Sequence, residues 1–178
     1  MTKPIYFDTD CWSAFLWVNE EQLVVHLYSD RIIIPEQVYI ELSNPRVPHL
    51  KNQTDVLINN NTISKQPITL GTRESNLYLK LCTNPDPGQN IIGKGEAAAI
   101  SLAVYKNGIL GSNNLRDVSS YIKLYNLENL TTGDILIDAL HQGLISEAKG
   151  NGIWINMLKR RRQLPTPTFS DFLKSKSQ

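Results

Sequence analysis

Two cysteines and three histidines are the only thiol and imidazole side chains in 178 residues. Cys11 and Cys82 lie far apart, with no close cysteine pair and no histidine cluster of zinc-ligand spacing. That excludes a zinc framework or a disulfide scaffold, and both read as small core hydrophobes in a reducing cytosol. His26, His49 and His141 fall in unrelated segments, and neither Ser13 nor Ser112 has a base beside it, so a hydrolytic triad finds no support. Gly93-Lys94-Gly95-Glu96 lacks the Gly-Lys-Ser/Thr ending of a nucleotide phosphate loop. No apolar run approaches the roughly 18 residues that span a bilayer, and the N-terminus, with one lysine before a segment interrupted by Asp8, is unlike a secretory signal. The expectation is a soluble, cytoplasmic protein with no membrane partner. An excess of one charge is also missing, because 18 basic against 17 acidic residues leave +1. The distribution is uneven, however. From Lys149 onward there are seven bases and one acid, against eleven bases and sixteen acids before it. A basic C-terminal piece follows an acidic body.

What the sequence has is enough apolar content, 41%, for one good core. Ile5-Tyr6-Phe7 reads as a buried strand that ends in Asp8-Thr9-Asp10. Helical spacing follows at Trp12, Phe15 and Leu16, then at Leu23, Val24 and Leu27. Ile32-Ile33-Ile34 is a second buried strand stopped by Pro35, and a helix runs on to Asn44-Pro45. The middle predicts a helix near His49 to Ile58, a weak strand around Ile68 to Leu70, and a helix from Arg73 to Leu81. Asn84 to Gly88 is a loop. The alanine-rich stretch from Gly95 to Ala103 is a strong helix, and Ile109 to Ser112 a further short strand. A helix over 115–124, a short segment over 127–130 and a helix from Thr131 or Thr132 to Gly143 continue the alternation. It predicts a parallel, twisted α/β sheet of about four to five strands with helices on both faces, in three layers. Residues 1–145 form this domain. Residues 146–178 form a basic helical extension packed on it, with a final helix capped by Ser170.

In such sheets ligands bind at the C-terminal ends of the strands. Asp8, with Asp10 nearby, ends the first strand. Glu41 lies on the helix after the second, Glu96 opens the alanine-rich helix, and Asn113, Asn114 and Asp117 follow the later strand. Magnesium and manganese need several oxygen ligands and leave other positions to water and phosphate, so scattered carboxylates of this kind suit them. Taken singly, each residue has a plainer role: a strand-end Asp as helix cap, Glu41 as a solvated helix face, Glu96 as a first-turn acid. The run Lys159-Arg160-Arg161-Arg162 suits a helix C-terminus and also the footprint of a nucleic-acid or acidic protein partner.

These stretches, in this order, resemble the PIN-domain family, and more closely its bacterial toxin ribonucleases from toxin–antitoxin pairs. Phe7-Asp8-Thr9-Asp10 resembles the family's opening strand with its first catalytic aspartate. Ile32 to Leu42 resembles its second strand and the helix bearing a glutamate, here Glu41. Gly95-Glu96-Ala97-Ala98-Ala99 is similar to the block supplying the third acid, and Gly111-Ser112-Asn113-Asn114 aligns with a Thr-x-Asp stretch supplying the last. Thr131 to Ile145 resembles the closing helix. The resemblance covers about residues 4–145. It implies a metal-dependent endoribonuclease using Mg2+ or Mn2+, with Asp8, Glu41, Glu96, Asn114 and Asp117 catalytic and Asp8, Asp10, Glu96 and Asn114 holding the metal. Lys159 to Arg162 would contact the RNA substrate. A small antitoxin protein and a second copy of the chain are the partners it implies. The departure is Asn114, which stands where the family has aspartate. Asp117 or Asp10 is the residue that would restore the lost charge. The alternatives are a catalytically silent PIN-fold module that binds RNA or protein, and a nuclease of the same chemistry acting on DNA.

Overall fold

Five strands, β1 (Ile5–Phe7), β2 (Ile32–Pro35), β3 (Ser64–Gln66), β4 (Ile109–Gly111) and β5 (Glu128–Leu130), form one parallel sheet in the order β3-β2-β1-β4-β5. The structure is a computed structural model that describes residues 2–176. Register is set by alternation along the buried strands, where a slip of one residue would exchange the two faces. Ile5 pairs with Ile32 and with Ile109, and Phe7 pairs with Gly111. On β1, Ile5 and Phe7 enter one hydrophobic cluster while Tyr6 enters another on the opposite face; on β2, Ile32 and Ile34 oppose Ile33 in the same way.

Each cluster is roofed by helices, which gives the three layers. On the Phe7 face lie α1 (Thr9–Leu16), α2 (Glu21–Tyr28), α3 (Glu36–Leu42) and α4 (Pro48–Asn59). On the Tyr6 face lie α5 (Arg73–Thr83), α6 (Lys94–Tyr105) and α7 (Leu115–Tyr125). Ala97, Ala98 and Ala99 of α6 are fully buried, and their small side chains let the helix lie close against the sheet. The chain builds β1, β2 and β3 outward in one direction and then returns to add β4 and β5 on the other side of β1. The order therefore reverses between β1 and β4, and a crevice at the C-terminal strand ends follows from that reversal.

The later helices α8 (Thr132–His141), α9 (Glu147–Lys159) and α10 (Phe169–Lys176) join the Phe7 face. Ile153, Trp154, Met157, Phe169 and Phe172 belong to the same cluster as Phe7 and Trp12, so the extension packs into the main core. The Trp154 ring lies 5.9 Å from Phe169 and 5.3 Å from Phe172, and its indole N–H donates to Thr166 O at 2.8 Å. Gly133 and Gly150 make this docking possible: a Cβ on Gly133 would run into the Phe172 ring, and one on Gly150 into Phe169.

Two expectations are corrected. The third strand is Ser64–Gln66, not residues 68–70. It is polar and at the sheet edge, held by backbone pairing of Ser64 with Ile33 and Gln66 with Pro35, so no apolar pattern marks it. The last helix is capped by Thr168, which accepts from Asp171 N at 3.0 Å, while Ser170 lies within the first turn. Among the described residues, no helix is long and apolar enough to cross a membrane.

Candidate functional site

Asp8 follows the last residue of β1, and two bonds fix it. Its N–H donates to Gly111 O of β4 at 2.8 Å, and its Oδ1 accepts from Cys11 N at 2.8 Å, making it the N-cap of α1. The plainer reading of Asp8 as a helix cap is thus correct for one of its oxygens. The other, Oδ2, has no hydrogen-bond partner although the residue is 0% exposed. Asp8 is the one carboxylate among the described residues that is fully buried. Burial raises its pKa from 3.8 to about 7, with the charges of Asp10 and Glu96 adding to the rise. The nearby Ser112 hydroxyl and the Cys11 N–H pull the other way. Neither Asp8 Oδ2 nor Ser112 Oγ closes a hydrogen bond, so that relief is electrostatic and incomplete. A buried carboxylate with a bare oxygen carries a desolvation cost that a cation would remove.

A cleft of about 720 Å³ opens nearby at the C-terminal edge of the sheet, lined by Asp10 two residues on and not by Asp8 itself. Asp10, Glu96, Asn113 and Asn114 line it together with Arg116, Arg161, Arg162 and Lys176. Glu96 is in the first turn of α6, and its Oε2 accepts from Gly93 N at 3.0 Å, satisfying an N-terminal donor and holding the carboxylate at the positive helix end. Its Oε1 accepts from Asn114 Nδ2 at 2.6 Å, and the same amide donates to Asp117 Oδ2 at 2.7 Å. The Asn114 amide therefore bridges two carboxylates. Asp117 is held below the usual carboxylate range by Arg116, which it meets at 3.2 Å, and by the Asn114 amide. Asn113 ties the end of β4 to the start of α8, accepting from Thr132 N at 2.8 Å and donating to Thr132 Oγ1 at 2.7 Å.

Glu41 is not among the residues lining the cleft. It accepts from Gly95 N at 2.9 Å and from the Thr9 hydroxyl, which links α3 to the start of α6 and of α1. A Cβ on Gly95 would meet both Glu41 Oε2 and Thr9 Oγ1 at 2.6 Å, so the glycine there is a requirement of close approach. Glu41 thus ties α3 to the first turn of the helix that carries Glu96. Asp10 is drawn upward by burial and downward by Arg162, whose Nη1 lies 3.4 Å from its Oδ1.

Of the basic run, Arg161 and Arg162 face the cleft, whereas Lys159 and Arg160 do not line it. The Arg160 guanidinium sits 5.7 Å from the Trp17 ring centre. Sequence reasoning missed Lys176, Leu164, Pro165 and Phe172 as cleft residues. They reach it only through the return of α10 against α8, which Pro165-Thr166-Pro167 signals as a loop without giving its direction.

The donors fit a hard divalent cation in kind: Asp8, Asp10 and Glu96 offer carboxylate oxygens, one buried and unpartnered, and Asn114 offers an amide oxygen. Among the described residues, no three His, Cys, Asp or Glu side chains stand close enough to share an ion. The amide N–H2 of Asn114 faces Glu96, so its oxygen must turn inward for the set to close.

No protein-family model matches the sequence, and no curated protein matches it. Among solved structures, the chain is similar to one from the complex of VapBC2 from Rickettsia felis bound to a DNA fragment from their promoter. The two are 18% identical, with a TM-score of 0.48, over 71% of this chain and 98% of that one.

Proposed function

We propose that the protein is a magnesium- or manganese-dependent endoribonuclease whose cleft lies between β1, β4 and α6. The observation that carries this reading is the fully buried Asp8 with its unpartnered oxygen, set at the reversal of strand order near a cleft lined by Asp10 and Glu96. Asp8, Asp10, Glu96 and the carbonyl oxygen of Asn114 would hold the ion. When bound, it would acidify a water and neutralise charge gathering on the phosphodiester.

The chain's own residues prepare that chemistry. Cys11 N–H and Gly111 O fix Asp8 by its cap and its backbone, so its free oxygen has one position. The start of α6 and the Gly93 N–H orient Glu96, while Glu41 and Thr9 brace the turn before it. Asp117 keeps its charge beside Asn114 and is the acid placed to compensate for the missing one. The basic residues of the cleft take the phosphate backbone. The sequence resemblance extends the proposal to a small antitoxin-like protein that restrains the enzyme and to pairing of two copies.

One observation favours a second reading, a silent module that binds RNA or protein without cutting. The Asn114 amide already satisfies Glu96 and Asp117, leaving them without need of a metal. Incubation of the purified protein with unstructured and structured RNA separates the two. The nuclease reading predicts internal cleavage with manganese and none with chelator. Intact RNA in manganese would leave the silent module.

A further inference from the structure

The chain's left-handed residues single out one side chain. Among the described residues, five non-glycine positions have positive φ: Asn19, Asn61, Asn107, Asn126 and Arg161. Four are asparagines, which tolerate this conformation, and the fifth is an arginine at φ 59°. Its place in the backbone makes the choice stranger. Arg161 N donates to Leu158 O at 2.9 Å and Arg162 N donates to Met157 O at 3.0 Å, the paired bonds of a helix end whose left-handed residue is normally glycine. The fold would be served better by glycine, so the arginine is kept for its side chain. That side chain is exposed, makes no hydrogen bond or ion pair among the described residues, and lines the same cleft as Glu96 and Asn114.

Three further cations line the cleft, Arg116 on α7 beside Asp117, and Arg162 and Lys176 from the C-terminal extension. Arg162 lies 3.4 Å from Asp10 and Lys176 lies 2.8 Å from Asp134, so both reach the cleft while parked on acids. The extension also gives the cleft apolar lining, with Leu164, Pro165 and Phe172. A set of cations together with apolar surface is the lining expected for a phosphate backbone whose bases are unstacked. A cleft of about 720 Å³ is sized for a small ligand and not for a duplex. An acidic peptide fits less well, because it has no bases to cover the apolar surface of Leu164, Pro165 and Phe172.

We infer that Arg161, Arg162 and Lys176 of the C-terminal extension form the phosphate-binding wall of the cleft, with Arg161 as its unpaired anchor for the backbone of single-stranded RNA. The inference rests on the nuclease reading of the cleft and narrows the substrate contact to three residues, leaving out Lys159 and Arg160.

Arg161→Gly tests it, because the fold and the wall predict opposite signs. In the full chain this substitution raises the melting temperature by relieving the left-handed arginine. Binding of a short fluorescein-labelled oligouridylate, followed by anisotropy in chelator, weakens by about tenfold. The salt dependence flattens by about 0.7 in log–log slope, one single-strand phosphate contact. Arg161→Lys recovers part of both, and Lys159→Ala changes affinity by less than about twofold. Unchanged RNA affinity in Arg161→Gly overturns the proposal, as does a parent that ignores the RNA and binds polyglutamate through Arg161. Because the assay needs no cutting, a parent that binds through Arg161 but never cleaves in manganese keeps the wall and loses the nuclease. An Arg161→Gly variant that cleaves RNA as the parent does keeps the nuclease and loses the wall.

Discussion

Asp8→Asn abolishes manganese-dependent RNA cleavage, lowering the rate by about a thousandfold or more, and at the same time makes the metal-free protein no less stable at pH 8. The combination is unusual, since loss of a buried charged residue ordinarily costs stability. It follows from the environment of Asp8. Asparagine keeps the cap, because its carbonyl oxygen can accept from Cys11 N, and its amide can donate to Ser112 Oγ, which is itself unpartnered. What is removed is a charge that burial opposes. With a carboxyl pKa of 3.8 in the unfolded chain and about 7 in the folded one, the folded protein holds the proton more tightly. Stability is therefore fully present below pH 4 and is lost as pH rises toward 7, on the order of 2–3 kcal/mol between pH 5 and pH 8. Urea denaturation at those two pH values, in chelator, measures it. The parent weakens with rising pH and Asp8→Asn weakens less. In manganese the parent's pH dependence shrinks, because a bound cation holds the carboxylate charged. Equal pH dependence in parent and variant would mean that Asp8 is not the group under strain.

The second large effect belongs to Asn114→Asp. The amide donates to Glu96 at 2.6 Å and to Asp117 at 2.7 Å, and a carboxylate can do neither. Three acids would then crowd one spot at the start of α6 and α7, costing about 1–3 kcal/mol in the absence of metal. The same crowding is what attracts a divalent ion. Manganese affinity rises by about tenfold or more, and with saturating manganese the lost stability returns through binding. Cleavage increases along with it. Calorimetric titration with manganese and thermal melts with and without the ion read both halves. A variant that is more stable than the parent in chelator would show that the amide is not the bridge holding the two acids.

Much of this was legible in the sequence where a residue's role follows from its neighbours along the chain. The runs ending at Phe7, Pro35 and Gly111 are strands because β-branched and apolar residues fill both faces of a buried sheet, and the polar residues that follow them fall at one edge by topology. Ser64–Gln66 was not legible, since an edge strand held by backbone bonds needs no apolar side chains. Glu41 shows a different limit. Its type and position suit a metal ligand, but the absence of a side chain at Gly95 lets α3 come close enough for Glu41 to bond that backbone, and only packing reveals it. The basic run was visible, while the division between Arg161 and Arg162 in the cleft and Lys159 and Arg160 outside it depends on where α9 ends and on the left-handed turn there. Lys176 carried no signal at all, because its place depends on α10 folding back over Gly133 and Gly150.

Anomalous diffraction from crystals soaked in manganese bears most directly on the whole account, because it reads the ligands without relying on activity. The result expected is one manganese peak at the C-terminal ends of β1 and β4, bound by Asp8 and Glu96, with the Asn114 amide turned so that Oδ1 faces the ion. A cleft without manganese, with Asn114 Nδ2 still bridging Glu96 and Asp117, would contradict it.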